Sequence, residues 1–141
     1  MTRLFLTLLL SVLTTSLVMA AAAKDMVGTW TVDTEATWNK LKDLPQMKAL
    51  PPEMAATAKS AFAAQSGGMI FTFTNDRITT VVAGVKREET YVIISIDGDT
   101  ITAEGTDPEG KKERSLIRFV DGGMELTSVS DPMQKVVLKR K

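Results

Sequence analysis

A continuous series of short β-strand segments, residues 69–140, is the feature that most restricts how this chain can fold. The turn sequences between the segments are Asn75-Asp76, Gly84, Asp97-Gly98, Asp107-Pro108-Glu109-Gly110, Asp121-Gly122-Gly123 and Ser130-Asp131-Pro132. Connections this short join only antiparallel neighbours, because parallel strands need a long crossover. A series of hairpins leaves two unpaired edge strands, and closure into a barrel removes both. With an earlier strand at residues 27–33, the pattern predicts a mainly β fold, a small antiparallel up-and-down barrel of about eight strands.

The segment between the first strand and this series has the apolar spacing of helices. The residues that recur at helical intervals are Trp38, Leu41 and Leu44, followed by Met54, Ala58 and Phe62. Pro45 ends the first set, and Pro51-Pro52 is typical of the start of a second helix. We therefore predict a two-helix insertion at residues 35–64, with helices at residues 35–44 and 53–64. Because apolar stripes without a motif usually pack on a core, docking on the sheet or the barrel mouth is favoured over a cofactor site.

The first residues of the chain have the pattern of a signal peptide. A basic start that includes Arg3 precedes an uncharged stretch at residues 4–18, and small residues follow it up to Ala22. The uncharged stretch is shorter than the ~20 apolar residues of a spanning helix, which favours cleavage over a stable membrane span. We predict a signal peptide at residues 1–22 and one exported, soluble domain at residues 23–141. The absence of Cys and of Asn-x-Ser/Thr acceptor sites favours the bacterial periplasm or the extracellular space.

The composition excludes several classes of function. The chain contains neither His nor Cys, which excludes a Ser-His-Asp triad, thiol catalysis and a zinc site of the usual ligands. Its formal net charge is 0, so it lacks the basic character that nucleic-acid binding requires. Glu88 and Glu89 are adjacent in a strand and point to opposite faces, which argues against a carboxylate pair. Glu113 and Ser115 share a strand face without making a recognisable catalytic set. We expect no enzymatic activity, no catalytic residue, no cofactor and no metal.

The order of elements resembles the calycin superfamily, which includes lipocalins and fatty-acid-binding proteins. The segment Met26-Val27-Gly28-Thr29-Trp30 is similar to the opening of the fatty-acid-binding branch, and the helical insertion lies where that branch has its lid. The resemblance implies that Trp30 is a structural plug at the closed end of the barrel and that Arg140 packs across its indole. Fatty-acid-binding proteins hold the ligand carboxylate with an Arg-x-Tyr pair on the last strand. Residues 133–139 contain no such pair, so the resemblance implies a barrel and only suggests a lipid-like ligand.

Two functions remain open at the level of the sequence. The first is that of an exported protein that binds a small apolar or amphipathic, lipid-like ligand under the helical lid. Its candidate ligand-binding residues are Trp38, Leu41, Phe62, Met69, Phe71, Phe73 and Tyr91. The second is a protein-binding module of the cell envelope, such as an inhibitor or an accessory subunit, with residues 86–89 or 107–110 as its contact surface. An interior cavity favours the first function, and a filled barrel with an exposed apolar patch favours the second.

Overall fold

The computed structural model describes residues 24–120 and 122–141, and the predicted signal peptide at residues 1–22 lies outside this part of the chain. The described residues form eight strands that are hydrogen-bonded in chain order into a closed antiparallel barrel. The strands are β1 Gly28–Val32, β2 Ile70–Phe73, β3 Arg77–Val82, β4 Val85–Asp97, β5 Thr100–Thr106, β6 Lys112–Val120, β7 Gly123–Ser128 and β8 Lys135–Arg140. The predicted fold class and strand number are therefore confirmed.

The first strand closes the barrel by pairing with both the second and the last. Trp30 lies opposite Phe71 of β2 on one side and opposite Arg140 of β8 on the other. This arrangement removes the two free edges that an open meander would expose to other chains. We call the end where β1 begins and β8 ends the closed end, and the opposite end, where β1 ends and β2 begins, the open end.

Three helices connect β1 to β2, where the sequence predicted two. They are α1 Thr34–Leu41, α2 Pro45–Lys48 and α3 Pro52–Ser66. The predicted first helix ends early, since Leu44 is extended (φ −68°, ψ 144°), as a residue before proline usually is. Pro45 then begins a single helical turn, because a proline has no amide that the first turn would leave unsatisfied. Pro45 therefore keeps Leu44 out of the first helix and begins the next one.

Helix α1 packs on the outer side of the barrel wall and extends the β1–β8 ladder. The amide of Asp33 donates to the carbonyl oxygen of Val137 at 2.8 Å, where β1 itself has ended. The Oγ1 atom of Thr37, which is fully buried, accepts the amide of Val137 at 2.9 Å. The Asp33 side chain caps the helix by accepting the amide of Ala36 at 3.0 Å. These bonds attach α1 to β8, and the side chains of Trp38 and Leu41 on the same helix are also buried.

The fully packed part of the barrel extends from the closed end into the middle of the barrel. Its buried apolar side chains are Met26, Trp30, Val32, Phe73, Tyr91, Ile101, Ala103, Ile117, Met124 and Leu138. Phe62, Met69, Phe71, Leu126 and Val136 pack against this core but remain partly exposed. The side-chain core therefore fills one end of the barrel and thins toward the other, which leaves space at the open end.

Candidate functional site

A cavity of about 400 Å³ lies at the open end of the barrel, beneath the C-terminal part of α3; we call it the mouth cavity. Its main apolar lining residues are Leu41, Phe62, Met69, Phe71, Leu126 and Val136. Its polar lining residues include Glu113, Ser115, Ser128 and Gln134. The apolar residues come from the helices, from Met69 just before β2, and from β2, β7 and β8, whereas Glu113 and Ser115 come from β6. The mouth cavity therefore has an apolar wall with polar groups concentrated on one side.

The structure divides the seven candidate ligand-binding residues into two groups. Leu41, Phe62, Met69 and Phe71 line the mouth cavity. The other three residues, Trp38, Phe73 and Tyr91, do not belong to the lining. The Trp38 ring lies behind Phe62, with ring centroids 6.4 Å apart. Trp38 therefore contacts a lining residue without lining the cavity itself.

Phe73 and Tyr91 lie deeper in the barrel, where there is no comparable space. Their rings make an edge-to-face contact with centroids 6.2 Å apart, and both side chains are almost completely buried. Phe71 and Phe73 share a face of β2, as the alternation of the strand predicts. Phe73 lies opposite Gly28 and Phe71 opposite Trp30, so Phe73 is the one nearer to the closed end. The two-residue step between them separates a core position from a cavity position.

The polar side of the mouth cavity contains a hydrogen-bonded group that the sequence did not single out as a site. The hydroxyl of Ser128 donates to Oε1 of Glu113 at 2.7 Å, and the hydroxyl of Ser130 lies 3.4 Å from the same oxygen. Ser115 of β6 is the direct partner of Ser128 of β7 in the sheet register. The shared strand face of Glu113 and Ser115 was visible in the sequence. Their convergence with Ser128 depends on the pairing of β6 with β7.

The closed end is filled by contacts around Trp30. The guanidinium carbon of Arg140 lies 4.3 Å from the centroid of the Trp30 ring, a cation–π distance. The same guanidinium donates to the carbonyl oxygens of Val27 at 3.1 Å and Asp25 at 2.9 Å. The indole nitrogen of Trp30 donates to the carbonyl oxygen of Met26 at 2.9 Å. The indole nitrogen of Trp30 and both terminal nitrogens of Arg140 therefore have backbone partners at the closed end.

A second depression, of about 540 Å³, lies on the outer surface beside α1. Its cationic lining residues are Lys40, Arg118 and Lys139. Lys40 pairs with Glu125 at 3.7 Å, and Arg118 pairs with Asp99 at 3.8 Å. Two of the three cations thus already have carboxylate partners. We regard the mouth cavity as the better candidate site, because it combines an apolar wall with convergent polar groups.

Tyr91 should give the protein a specific alkaline sensitivity. Burial, and then the negative charge of Asp76, raises the pKa of Tyr91 above its ordinary value of 10.0. The unfolded chain therefore loses the phenolic proton at a lower pH than the folded protein. Stability due to the neutral phenol is fully present below about pH 10 and is lost as the pH rises above it. Urea unfolding of the wild type and of Tyr91→Phe at about pH 8 and about pH 11 measures this contribution.

We expect the wild type to lose more stability than Tyr91→Phe between these two pH values. At the lower pH the variant should be less stable by about 0.5–1.5 kcal/mol, because it lacks the bond from the Tyr91 hydroxyl to the Thr74 carbonyl oxygen. That bond is 2.6 Å long. The relevant quantity is the difference between the two proteins, because contributions that both share cancel in it. An equal loss in both proteins would contradict the assignment to Tyr91.

Within residues 24–120 and 122–141, no cluster of three or more Asp, Glu, His or Cys side chains could hold a metal ion. In the same part of the chain, no helix has the length and apolar character needed to cross a membrane. A scan against models of known protein families finds no match for this chain. Searches of curated proteins and of solved structures find no significant match either.

Proposed function

We propose that this protein is an exported carrier of a small apolar or amphipathic ligand, which it binds in the mouth cavity. The observation that carries the proposal is the position of this cavity between a closed, packed barrel end and a helix across the open end. Its volume of about 400 Å³ lies in the range of ~300–1,000 Å³ that small-molecule sites commonly have. A ligand that enters the cavity removes apolar surface from water, which stabilises the complex by roughly 25 cal/mol per Å² of apolar surface buried.

The weak attachment of α3 supports a role as a movable cover. Within α3, Ser66 is the buried residue, whereas Met54 near the start of the helix is 57% exposed. The predicted apolar stripe Met54, Ala58 and Phe62 therefore contacts the barrel mainly through Phe62 at its C-terminal end. An element with few buried contacts opens at low free-energy cost. Entry of a ligand past α3 would leave the barrel itself unchanged.

The order and closure of the strands support a calycin-like relationship as part of the same proposal. The chain combines a Gly-x-Trp first strand, a helical insertion before β2 and a late arginine above the tryptophan ring. Export to the bacterial periplasm or the extracellular space also belongs to the proposal. Its support is the leader pattern of residues 1–22 together with the absence of Cys.

Titration with an apolar fluorescent probe tests the carrier function. We expect saturable binding to the folded protein with a stoichiometry of about one to one. Phe71→Trp should fill part of the mouth cavity. The affinity for the probe should then fall by roughly tenfold or more, which corresponds to about 1.4 kcal/mol of binding free energy. The expected melting temperature stays close to that of the wild type, because Phe71 is only partly buried.

Phe119→Trp is the matched control for this experiment. Phe119 lies on β6 at 40% exposure and lines the outer depression, not the mouth cavity. This variant should bind the probe as tightly as the wild type. A lack of saturable binding to the wild type would overturn the carrier function. Equal weakening in both tryptophan variants would place the probe elsewhere on the molecule.

A protein-binding module is the second candidate, and an exposed apolar surface on the outer wall favours it. Val92 and Ile94 of β4 and Leu116 of β6 are 58%, 39% and 38% exposed. Thr102 of β5 pairs with both Ser95 and Leu116, so these strands form one continuous outer face. If the apolar probe does not bind, native mass spectrometry of the protein from its own cells should show a protein partner. Val92→Lys should then weaken that complex.

A further inference from the structure

We propose that the mouth cavity selects amphipathic ligands whose polar head is a cation, such as an ammonium group, over ligands with a carboxylate head. This inference rests on the proposed carrier function and specifies the chemistry of its ligand. It follows from the charges around the cavity, where one carboxylate, that of Glu113, faces the opening without a cationic partner.

Glu113 is separated from the basic residues next to it in the sequence by the alternation of β6. Lys112 and Arg114 point to the opposite strand face, where both pair with Glu104, at 3.7 Å and 3.2 Å. Within residues 24–120 and 122–141, no Lys or Arg nitrogen lies within 4.0 Å of the Glu113 carboxylate. Its contacts are the hydroxyls of Ser128 and Ser130, which are neutral donors. The negative charge of Glu113 is therefore oriented but not neutralised.

Two positive charges at the open end, those of Lys135 and Arg87, are paired with other carboxylates. Lys135 contributes to the cavity lining, but its amino group lies 3.6 Å from Oε1 of Glu125. Glu125 alternates along β7 with the core residues Met124 and Leu126, so it points to the outer side of the barrel. Arg87 of β4 lies 3.2 Å from Glu89 and 3.5 Å from Asp107. An anionic ligand head would thus meet repulsion from Glu113, and the basic residue of the lining, Lys135, already pairs with Glu125.

The geometry also assigns the orientation of the ligand. Glu113 is exposed at the rim of the mouth cavity. Phe71 and Leu126 belong to its apolar wall, which packs against the barrel core. An alkyl chain can enter along this wall while its ammonium group stays at the rim next to the carboxylate. A primary ammonium has three donors, so it can bond to Glu113 and to a serine oxygen at the same time. A charge-assisted hydrogen bond of this kind is stronger than one between neutral groups.

Competition between matched ligands tests the inference. Decylammonium, decyltrimethylammonium, decanol and decanoate, each below its micelle concentration, displace the neutral apolar probe from the wild-type protein. Since the alkyl chains are equal, differences in affinity report the head group. We expect both cations to bind roughly three- to tenfold more tightly than decanol, and decanoate to bind more weakly than decanol. The cation preference should shrink between about 50 mM and about 500 mM salt, because the rim charge is screened.

Glu113→Gln should reduce the preference for decylammonium over decanol to near one. The glutamine keeps an oxygen that can accept the Ser128 hydroxyl, so the rim should keep its shape. Glu109→Gln is the control, because it removes the same charge from an exposed turn outside the cavity lining. The control should keep the wild-type preference.

The outcomes separate this inference from the carrier function. Decanoate binding as tightly as decylammonium, or a preference that survives Glu113→Gln, would overturn the cationic selectivity while probe binding still supports a carrier. A wild-type protein that binds neither the probe nor any of the four ligands would overturn the carrier function, and the selectivity with it.

Discussion

Replacing Trp30 by alanine is expected to lower the free energy of unfolding by about 3–5 kcal/mol, a large part of the ~5–15 kcal/mol of a typical domain. Trp30 is 2% exposed, and its ring packs in the core beneath the guanidinium of Arg140. Alanine would leave a cavity at the closed end and remove the aromatic partner of a positive charge. Urea unfolding followed by circular dichroism measures the loss.

Trp38→Ala is the matched control, because it removes the same side chain from the helical insertion. Trp38 is 9% exposed and packs against Phe62 of α3, away from the barrel core. The loss of stability should therefore be smaller than for Trp30→Ala. An equal or larger loss would contradict the assignment of Trp30 as the structural plug.

Gly28→Ala should destabilise the protein by roughly 2–4 kcal/mol, although it adds only one methyl group. Gly28 has φ +141°, a backbone conformation that residues with a Cβ rarely adopt. An added Cβ would lie 2.6 Å from the Nη1 atom of Arg140. The substitution would therefore strain β1 and displace the guanidinium from Trp30. Thermal and urea unfolding measure the combined effect.

Two further variants separate these causes. Gly68→Ala adds a methyl group where no atom lies within 4 Å and φ is not positive, so its effect should stay within about 1 kcal/mol. If displacement of Arg140 contributes, Gly28→Ala should cost less in an Arg140→Ala background than in the wild type. Additive costs in the double variant would assign the whole effect to backbone strain.

The helical insertion illustrates the limit of local reasoning. Apolar spacing indicated helices on both sides of Pro45 but did not reveal the short helix α2 that this proline begins. It also predicted a packed stripe on α3 that includes Met54, which is exposed. Spacing defines which residues share a helix face. Whether another element covers that face depends on where the helix docks, and α3 contacts the barrel mainly at its C-terminal end.

At the mouth cavity, too, the sequence predicted some features and left others open. The alternation of β2 predicted that Phe71 and Phe73 share a face, and both point into the barrel. It could not distinguish the cavity position from the core position, because that depends on the distance from the closed end. Glu113 was visible as one of several carboxylates in a charged strand. Its place in the lining, next to Ser128, follows from the register between β6 and β7.

The sequence by itself determined the fold class, the strand number and the antiparallel order, because these follow from alternation within strands and from short turns between them. Both are local properties of neighbouring residues. The tertiary structure alone decided which inward-facing side chains meet a core and which meet a cavity, and which charges keep no partner. These outcomes depend on strand register around a closed barrel. Closure brings residues into contact that are far apart in the chain, such as Trp30 and Arg140, and no local pattern specifies that distance.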